Sequence, residues 1–279
     1  MAKQSVYEIV TNQVIEAMEQ GVVPWAKPWT AAGAHQNIEG RKYRGLNPLL
    51  LEISAMTKGF DQPYWMTMNQ AGKKGGKVIK GSKSTIVTFY KVLEKENKEG
   101  ELEQTMLLRY FKVFNIEQVE GLDWKPPVLP GTDLEPVEIG EKVIAEMQNA
   151  PEITIKESNQ AYYRPSTDQV VLPQLEQYGK AEDFYRVAFH ELAHSTGHES
   201  RIGRGLKNGF GSEKYAKEEL IAELTSAMIC QVTGIEAEIE QTAAYIAGWK
   251  KALTDDPKLI VSASSAAQKA ADYILNENN

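Results

Sequence analysis

The stretch His190-Glu191-Leu192-Ala193-His194 decides how this chain is read. The chain has four histidines, and three of them (His190, His194 and His198) fall within nine residues. On a helix, residues four apart share a face, so His190 and His194 project together. Two neutral imidazoles at that spacing can hold one Zn²⁺, and Glu191, about 100° round the axis, then stands beside the metal and not on it. A carboxylate there can take a proton from a water that the metal activates, the general-base role in a metallopeptidase. The residues before the motif have a helical pattern: Ala181, Phe184, Tyr185, Ala188, Phe189 and Leu192 form one apolar arc opposite the histidine edge. Gly197 offers a stop.

A catalytic zinc needs a third protein ligand and an open position. His198 lies past Gly197 and would have to fold straight back. The longer spacing H-E-x-x-H-x-x-G-x-x-H runs through Gly197 but ends on Ser200. The next long helix, expected from Ser212 to Val232 and closed by Gly234, is the better source. Glu219 and Glu223 share one of its faces, with Ala216 and Ala227 beside them, while Glu218 points about 100° away. Glu219 is therefore expected as the third ligand. Glu223 is expected to orient a ligand histidine, an arrangement that resembles the gluzincin type.

A hydrophobic content of 42% with 25% charged residues is that of a globular protein and excludes a disordered or fibrous chain. No apolar run approaches the eighteen or so residues of a membrane span, and the N-terminus carries no apolar signal segment. The single cysteine, Cys230, excludes an intrachain disulfide, and a cytoplasmic location is expected. The net charge of −7 is divided unevenly. Residues 1–125 carry 17 Lys and Arg against 14 Asp and Glu, and residues 126–279 carry 14 against 24. That asymmetry suggests two modules with different partners.

Along the chain, Ser5 and Glu8 form a capping-box pair that opens a helix to Gln20, closed by Gly21. Asn47-Pro48 reads as the N-cap and first residue of a second helix, ending at Gly59. Trp65-Met66-Thr67 leads into a short helix through Gln70. Thr85–Leu93 and Met106–Val113 read as a hairpin joined by a charged connection over 94–103. Trp124-Lys-Pro-Pro-Val-Leu-Pro-Gly131 marks a linker, dividing the chain into 1–123, 124–131 and 132–279. Beyond it, Pro136–Asn149 is helical in pattern, Ile153–Ile155 and Asp168–Leu172 are strands, and Asp256-Pro257 opens a last helix to about Leu275. An exposed strand in this small sheet could align a substrate backbone.

In the first half, aromatics interleave with lysines. Trp25, Trp29, Tyr43 and Trp65 are candidates for stacking on bases. Arg44 and the cluster Lys58, Lys73, Lys74, Lys77, Lys80 and Lys83 are candidates for phosphates of single-stranded nucleic acid. Tryptophans serving a core and lysines forming a solvated face would give the same pattern.

The run Pro24-Trp25…Pro28-Trp29, then Tyr43-Arg44-Gly45-Asn47, Trp65-Met66-Thr67…Gln70, Gly75-Gly76-x-Val78-x-Lys80-Gly81 and Val113-Phe114-Asn115 with Gln118 and Gly121, resembles the N-terminal domain of ArdC-type antirestriction proteins. His190 through His198, Arg201, Arg204, Tyr215-Ala216 and Glu218-Glu219-Leu220…Ala222-Glu223 resemble that family's metallopeptidase-like domain. The resemblance spans nearly the whole chain. It implies an α+β protein in which a single-stranded-DNA-binding domain, Asn47 among its motif residues, is joined to a mostly helical zincin-like domain with a small sheet. It also implies an origin on a plasmid, integrative element or phage and a role in protecting entering DNA from restriction. Two activities fit: a zinc peptidase that cleaves a DNA-associated protein, or a DNA-binding shield whose metal site is structural or vestigial.

Overall fold

Ser5 starts the first helix as its spacing from Glu8 requires: its hydroxyl accepts from Glu8 N at 3.2 Å and its own N–H donates to Glu8 Oε2 at 2.7 Å. The structure, a computed structural model, describes residues 4–26, 33–96, 102–126, 134–205, 213–236 and 243–277. The first half comprises α1 (Val6–Glu19), β1 (Gln36–Asn37), α2 (Asn47–Lys58), β2 (Tyr64–Met66), α3 (Met68–Lys73), β3 (Lys77–Val78), β4 (Thr85–Glu96), β5 (Leu102–Asn115) and β6 (Val119–Glu120). The second comprises α4 (Pro136–Glu146), β7 (Glu152–Ile155), β8 (Tyr162–Arg164), β9 (Gln169–Leu172), α5 (Ala181–Ser195), α6 (Glu213–Thr233), α7 (Ala243–Asp255) and α8 (Leu259–Ile274). The architecture is α+β.

In the first half a four-stranded sheet runs in the order β1-β2-β5-β4, with β1 parallel to β2 and the rest antiparallel. The long hairpin is in register from Thr85↔Val113 outwards. Helix α2 lies against β4 and ends at Gly59, whose φ of 71° is cheap only without a Cβ. Its opening differs from expectation. Leu46 is the N-cap residue, and the Asn47 side chain instead bonds the β4 backbone, accepting from Thr88 N at 2.6 Å and donating to Thr88 O at 3.0 Å. The hairpin strands run longer than their apolar runs because antiparallel pairing carries charged residues along with it.

In the second half the sheet order is β7-β9-β8, which leaves β8 at an edge. Strand β9 puts Val170 and Leu172 into the core with Phe184 and Phe189 of α5, and α5 packs along α6. Strand β8 and helix α7 went unread in the sequence.

The largest core crosses between the halves. It draws Val10, Trp25, Leu50 and Leu108 from the first and Phe189, Leu224, Trp249 and Ile260 from the second. Polar contacts follow it: Thr11 Oγ1 donates to Pro257 O at 2.8 Å, Gly45 N to Gln268 Oε1 at 2.8 Å, and Arg44 reaches Asp272 Oδ2 at 2.5 Å. Most of the expected linker, residues 127–131 of 124–131, lies outside the described residues. Its first residue, Trp124, belongs to the first half, donating Nε1–H to Ile38 O at 2.9 Å. Among the described residues, no helix is long and apolar enough to cross a membrane.

Candidate metal centre and nucleic-acid surface

Helices α5 and α6 bring three donors to one point. His190 Nε2 and His194 Nε2 are 3.2 Å apart, and the two oxygens of Glu219 stand 3.6 Å from the first and 3.5 Å from the second. A tetrahedral zinc with bonds near 2.0–2.1 Å spaces its ligands roughly 3.3–3.4 Å apart, so this triangle is one face of such a site. Among the described residues no other set of three His, Cys, Asp or Glu side chains gathers so closely. The donor set, two imidazoles and one carboxylate, suits a catalytic transition metal and leaves a position open. His198 is turned away: its Nδ1 pairs with Ser200 Oγ at 2.8 Å. Glu191 is buried beside the ligands and opens onto a cleft of about 510 Å³ that Tyr162, Tyr163, Tyr215 and Glu218 also line.

The carboxylates are placed differently from expectation. Glu218, read as pointing elsewhere, stands 3.5 Å from His194 Nδ1 and is held from behind by Arg204, Nε to Oε2 at 3.0 Å and NH2 to Oε1 at 2.6 Å. Arg204 also donates to Thr196 Oγ1 and Ala193 O, which ties the pair to the end of α5. Glu223 lies a turn deeper and meets Tyr245 OH at 3.2 Å and Arg186 at 3.9 Å, so Glu218, and not Glu223, is the carboxylate that joins Glu219 beside the two imidazoles. The reason is rotational: α6 faces α5 along an arc wide enough to include both Glu218 and Glu219.

Burial opposes a charge on His190, but the carboxylates of Glu219, Glu223 and Glu191 outweigh it and push its pKa up to about 9. Burial likewise acts to raise Glu218 and Glu219, yet His194 and Arg204 hold the first, and both histidines the second, below the usual carboxylate range. Arg201, bonded to Asp168, to Ser195 O at 2.7 Å and to Asn149 O at 2.9 Å, clamps the turn after α5 onto the small sheet. Strand β8 borders the cleft through Tyr162 and Tyr163.

The expected nucleic-acid residues are scattered. Trp25 and Trp65 are 0% exposed and cannot stack on a base. Trp25 packs edge-on to Trp249 at 6.1 Å, and Trp65 donates Nε1–H to His35 Nδ1 at 3.1 Å, inside the core. Tyr43 is half-buried, and burial first, then Glu39, pushes its hydroxyl up to about 12. Arg44 pairs with Asp272, and Asn47 is taken up by Thr88. These described residues hold the protein together. Trp29 lies outside the described residues. Lys73, Lys74, Lys77, Lys80 and Lys83 are exposed, as is Lys58, whose ammonium caps Lys83 O at 3.1 Å. A different aromatic surface emerges on the hairpin. Phe89, 43% exposed, and Phe111, 41% exposed, lie 5.9 Å apart on one face with Lys91 and with Arg109, the partner of Phe89. Period-2 alternation placed these side chains together, but the sequence did not say which face was free.

Residues 4–114 match the family described as the N-terminal domain of anti-restriction factor ArdC, and residues 141–266 match that of a zincin-like metallopeptidase. The structure superposes on the antirestriction ArdC protein from plasmid R388, solved metal-free and with Mn(II). TM-scores are 0.80 and 0.82 and identities 33% and 34%, with at least 97% of each chain covered. The chain is 35% identical to an uncharacterized protein, y4eC, of Sinorhizobium fredii, over 96% of this chain and 91% of that one. It is also 35% and 36% identical to two Escherichia coli proteins called DNA primase TraC, over 98% of this chain, and spans 20% and 27% of their length.

Proposed function

Because the chain belongs to the family of ArdC antirestriction proteins, we propose that it is a zinc-dependent peptidase whose first half binds single-stranded DNA. It cleaves a protein at or near that DNA and so protects the incoming DNA of a mobile element from restriction in the cytoplasm. The observation that carries the peptidase reading is the donor triangle of His190, His194 and Glu219 with Glu191 lining the same cleft. A structural metal site has no use for that base.

His190, His194 and Glu219 would hold the ion, which supplies Lewis acidity and makes water a nucleophile at neutral pH. Glu191 takes the proton from the attacking water as its oxygen joins the scissile carbonyl carbon. It then delivers that proton to the leaving amine as the C–N bond breaks. The edge of β8 beside the cleft supports a peptide as substrate, because an extended backbone can add there as a further strand. Glu218, fixed by Arg204, keeps the His194 ring aimed at the ion. For DNA, the exposed rings Phe89 and Phe111 with Lys91 and Arg109 supply stacking and charge together, and the lysines at 73–83 extend the cationic face.

The test measures metal content and cleavage of labelled casein, with and without an oligothymidine strand, for wild type and Glu191→Gln. Stoichiometric zinc in both proteins with cleavage only in the wild type is expected. Equal cleavage by the two would remove Glu191 as the base. Because the R388 relative has been solved with Mn(II), the assay includes both metals.

A further inference from the structure

Arg186 on α5 is 1% exposed, and a guanidinium keeps its charge at any pH a protein survives. Its NH2 group donates to the backbone carbonyl of Trp25, 161 residues earlier in the chain, and stands 3.9 Å from Glu223 Oε2. Neither its Nε nor its NH1 has a hydrogen-bond partner among the described residues. The Trp25 carbonyl and the Glu223 carboxylate hold this charge in place, with the Cys230 thiol also beside it. Glu223 is also buried, and Arg186 is the cation beside it.

Trp25 reaches Glu223 by a second route. Its ring meets Trp249 edge-on at 6.1 Å, the Trp249 ring meets Tyr245 at 5.5 Å, and Tyr245 OH donates to Glu223 Oε1 at 3.2 Å. The two routes end on opposite oxygens of one carboxylate. That carboxylate stands one helical turn beyond Glu219 on α6, and Arg186 stands one turn before His190 on α5, so the pair forms the layer next to the donor triangle.

We propose that Trp25, Arg186 and Glu223 are positioning residues of the metal centre, so that the first half of the chain, by seating Trp25, sets how tightly the second half holds its metal. The inference rests on His190, His194 and Glu219 being the ligands. Trp25 supplies the acceptor that places Arg186, Arg186 holds Glu223 by their ion pair, and this buried pair fixes how α5 and α6 meet one turn away from His190 and Glu219. The coupling is reciprocal: if a seated Trp25 tightens the metal, the metal tightens the seat of Trp25.

The experiment measures zinc affinity by chelator competition on the full chain, with folding followed by circular dichroism. Arg186→Met, Glu223→Gln and Trp25→Ala should each weaken zinc ten- to hundred-fold, the range seen when a group behind a metal ligand is removed. Trp25→Phe should stay near wild type. The double variant Arg186→Met/Glu223→Gln removes both charges and so escapes the cost of one left unpaired. It should bind zinc no worse than either single variant, because the two residues act as one unit. In the wild type, zinc should slow amide exchange over residues 22–26, and in Glu223→Gln it should not. A folded double variant with wild-type zinc affinity, or exchange over residues 22–26 indifferent to zinc, overturns the inference. A wild-type chain that binds no zinc overturns the ligand reading beneath it, which is a different result.

Discussion

Arg204 grips both carboxylate oxygens of Glu218, at 3.0 and 2.6 Å, and Glu218 in turn stands 3.5 Å from His194 Nδ1. Two residues outside the donor triangle thus determine the direction of one within it. Glu218→Gln and Arg204→Ala should each lower zinc affinity about 10- to 100-fold, measured by chelator competition. Arg204→Lys should not restore it, because an ammonium cannot make the two parallel bonds. Wild-type affinity in Arg204→Ala would reduce the pair to a fastening between α5 and α6.

In the metal-free chain His190 holds its proton up to a pH of about 9, and an ion can bind only by displacing it. Zinc affinity should therefore rise about tenfold per pH unit between roughly 6.5 and 9, with close to one proton released from this residue, as calorimetry in buffers of different ionisation enthalpy would measure. The sign for stability is opposite. A raised folded pKa stabilises the metal-free chain fully below 6.5, and that contribution is lost as pH rises through about 9. The increase in melting temperature on adding zinc should accordingly grow across this window. A flat profile would place the displaced proton elsewhere.

Asp168 faces the buried guanidinium of Arg201 and accepts from Tyr163 OH at 2.8 Å. Burial acts to raise its pKa, but these bonds bring it below the usual value. A depressed carboxylate pKa stabilises above the unfolded value, near 3.9, and the contribution disappears as pH falls through the folded one. Asp168→Asn tolerates the residue's φ of 50° and should cost about 1.5–3 kcal/mol in urea denaturation at pH 7. The difference from wild type should shrink below pH 4. A constant difference down to pH 2 would mean that the charge on Asp168 contributes nothing.

On the hairpin, Phe89→Ala and Phe111→Ala should each weaken binding of an oligothymidine strand by roughly 1–3 kcal/mol and leave its salt dependence unchanged. Replacing Lys91 and Arg109 with glutamine should flatten the dependence on salt by about one counterion for each phosphate no longer neutralised. Trp65→Ala should lower the melting temperature, since its ring is core. Fluorescence anisotropy across a salt series separates these outcomes. Unchanged binding by the Phe89→Ala/Phe111→Ala pair would return the interface to the lysines at 73–83.

If incoming DNA is protected by catalysis, cells carrying Glu191→Gln should restrict it as fully as cells lacking the protein, while the variant still binds single strands. Full protection by Glu191→Gln would assign the role to DNA binding alone.

The sequence by itself determined whatever closes within about one helical turn. His190 and His194 share a face, Glu191 stands beside them, and Ser5 and Glu8 cap each other, all because 3.6 residues per turn relates near neighbours without help from the rest of the chain. The tertiary structure decided everything that depends on which face meets which. The rotation of α6 against α5 chose Glu218 over Glu223 as the partner of His194, an angle that no local pattern encodes. Burial separated the aromatics: Trp25 and Trp65 entered cores built from residues far along the chain, while Phe89 and Phe111 were left outside because α2 covers only the base of the hairpin, near Val87 and Val113. A single core across both halves likewise stayed invisible in a chain whose clearest punctuation is its Pro-rich linker, because apolar residues far apart in sequence carry no record of which of them will share the interior.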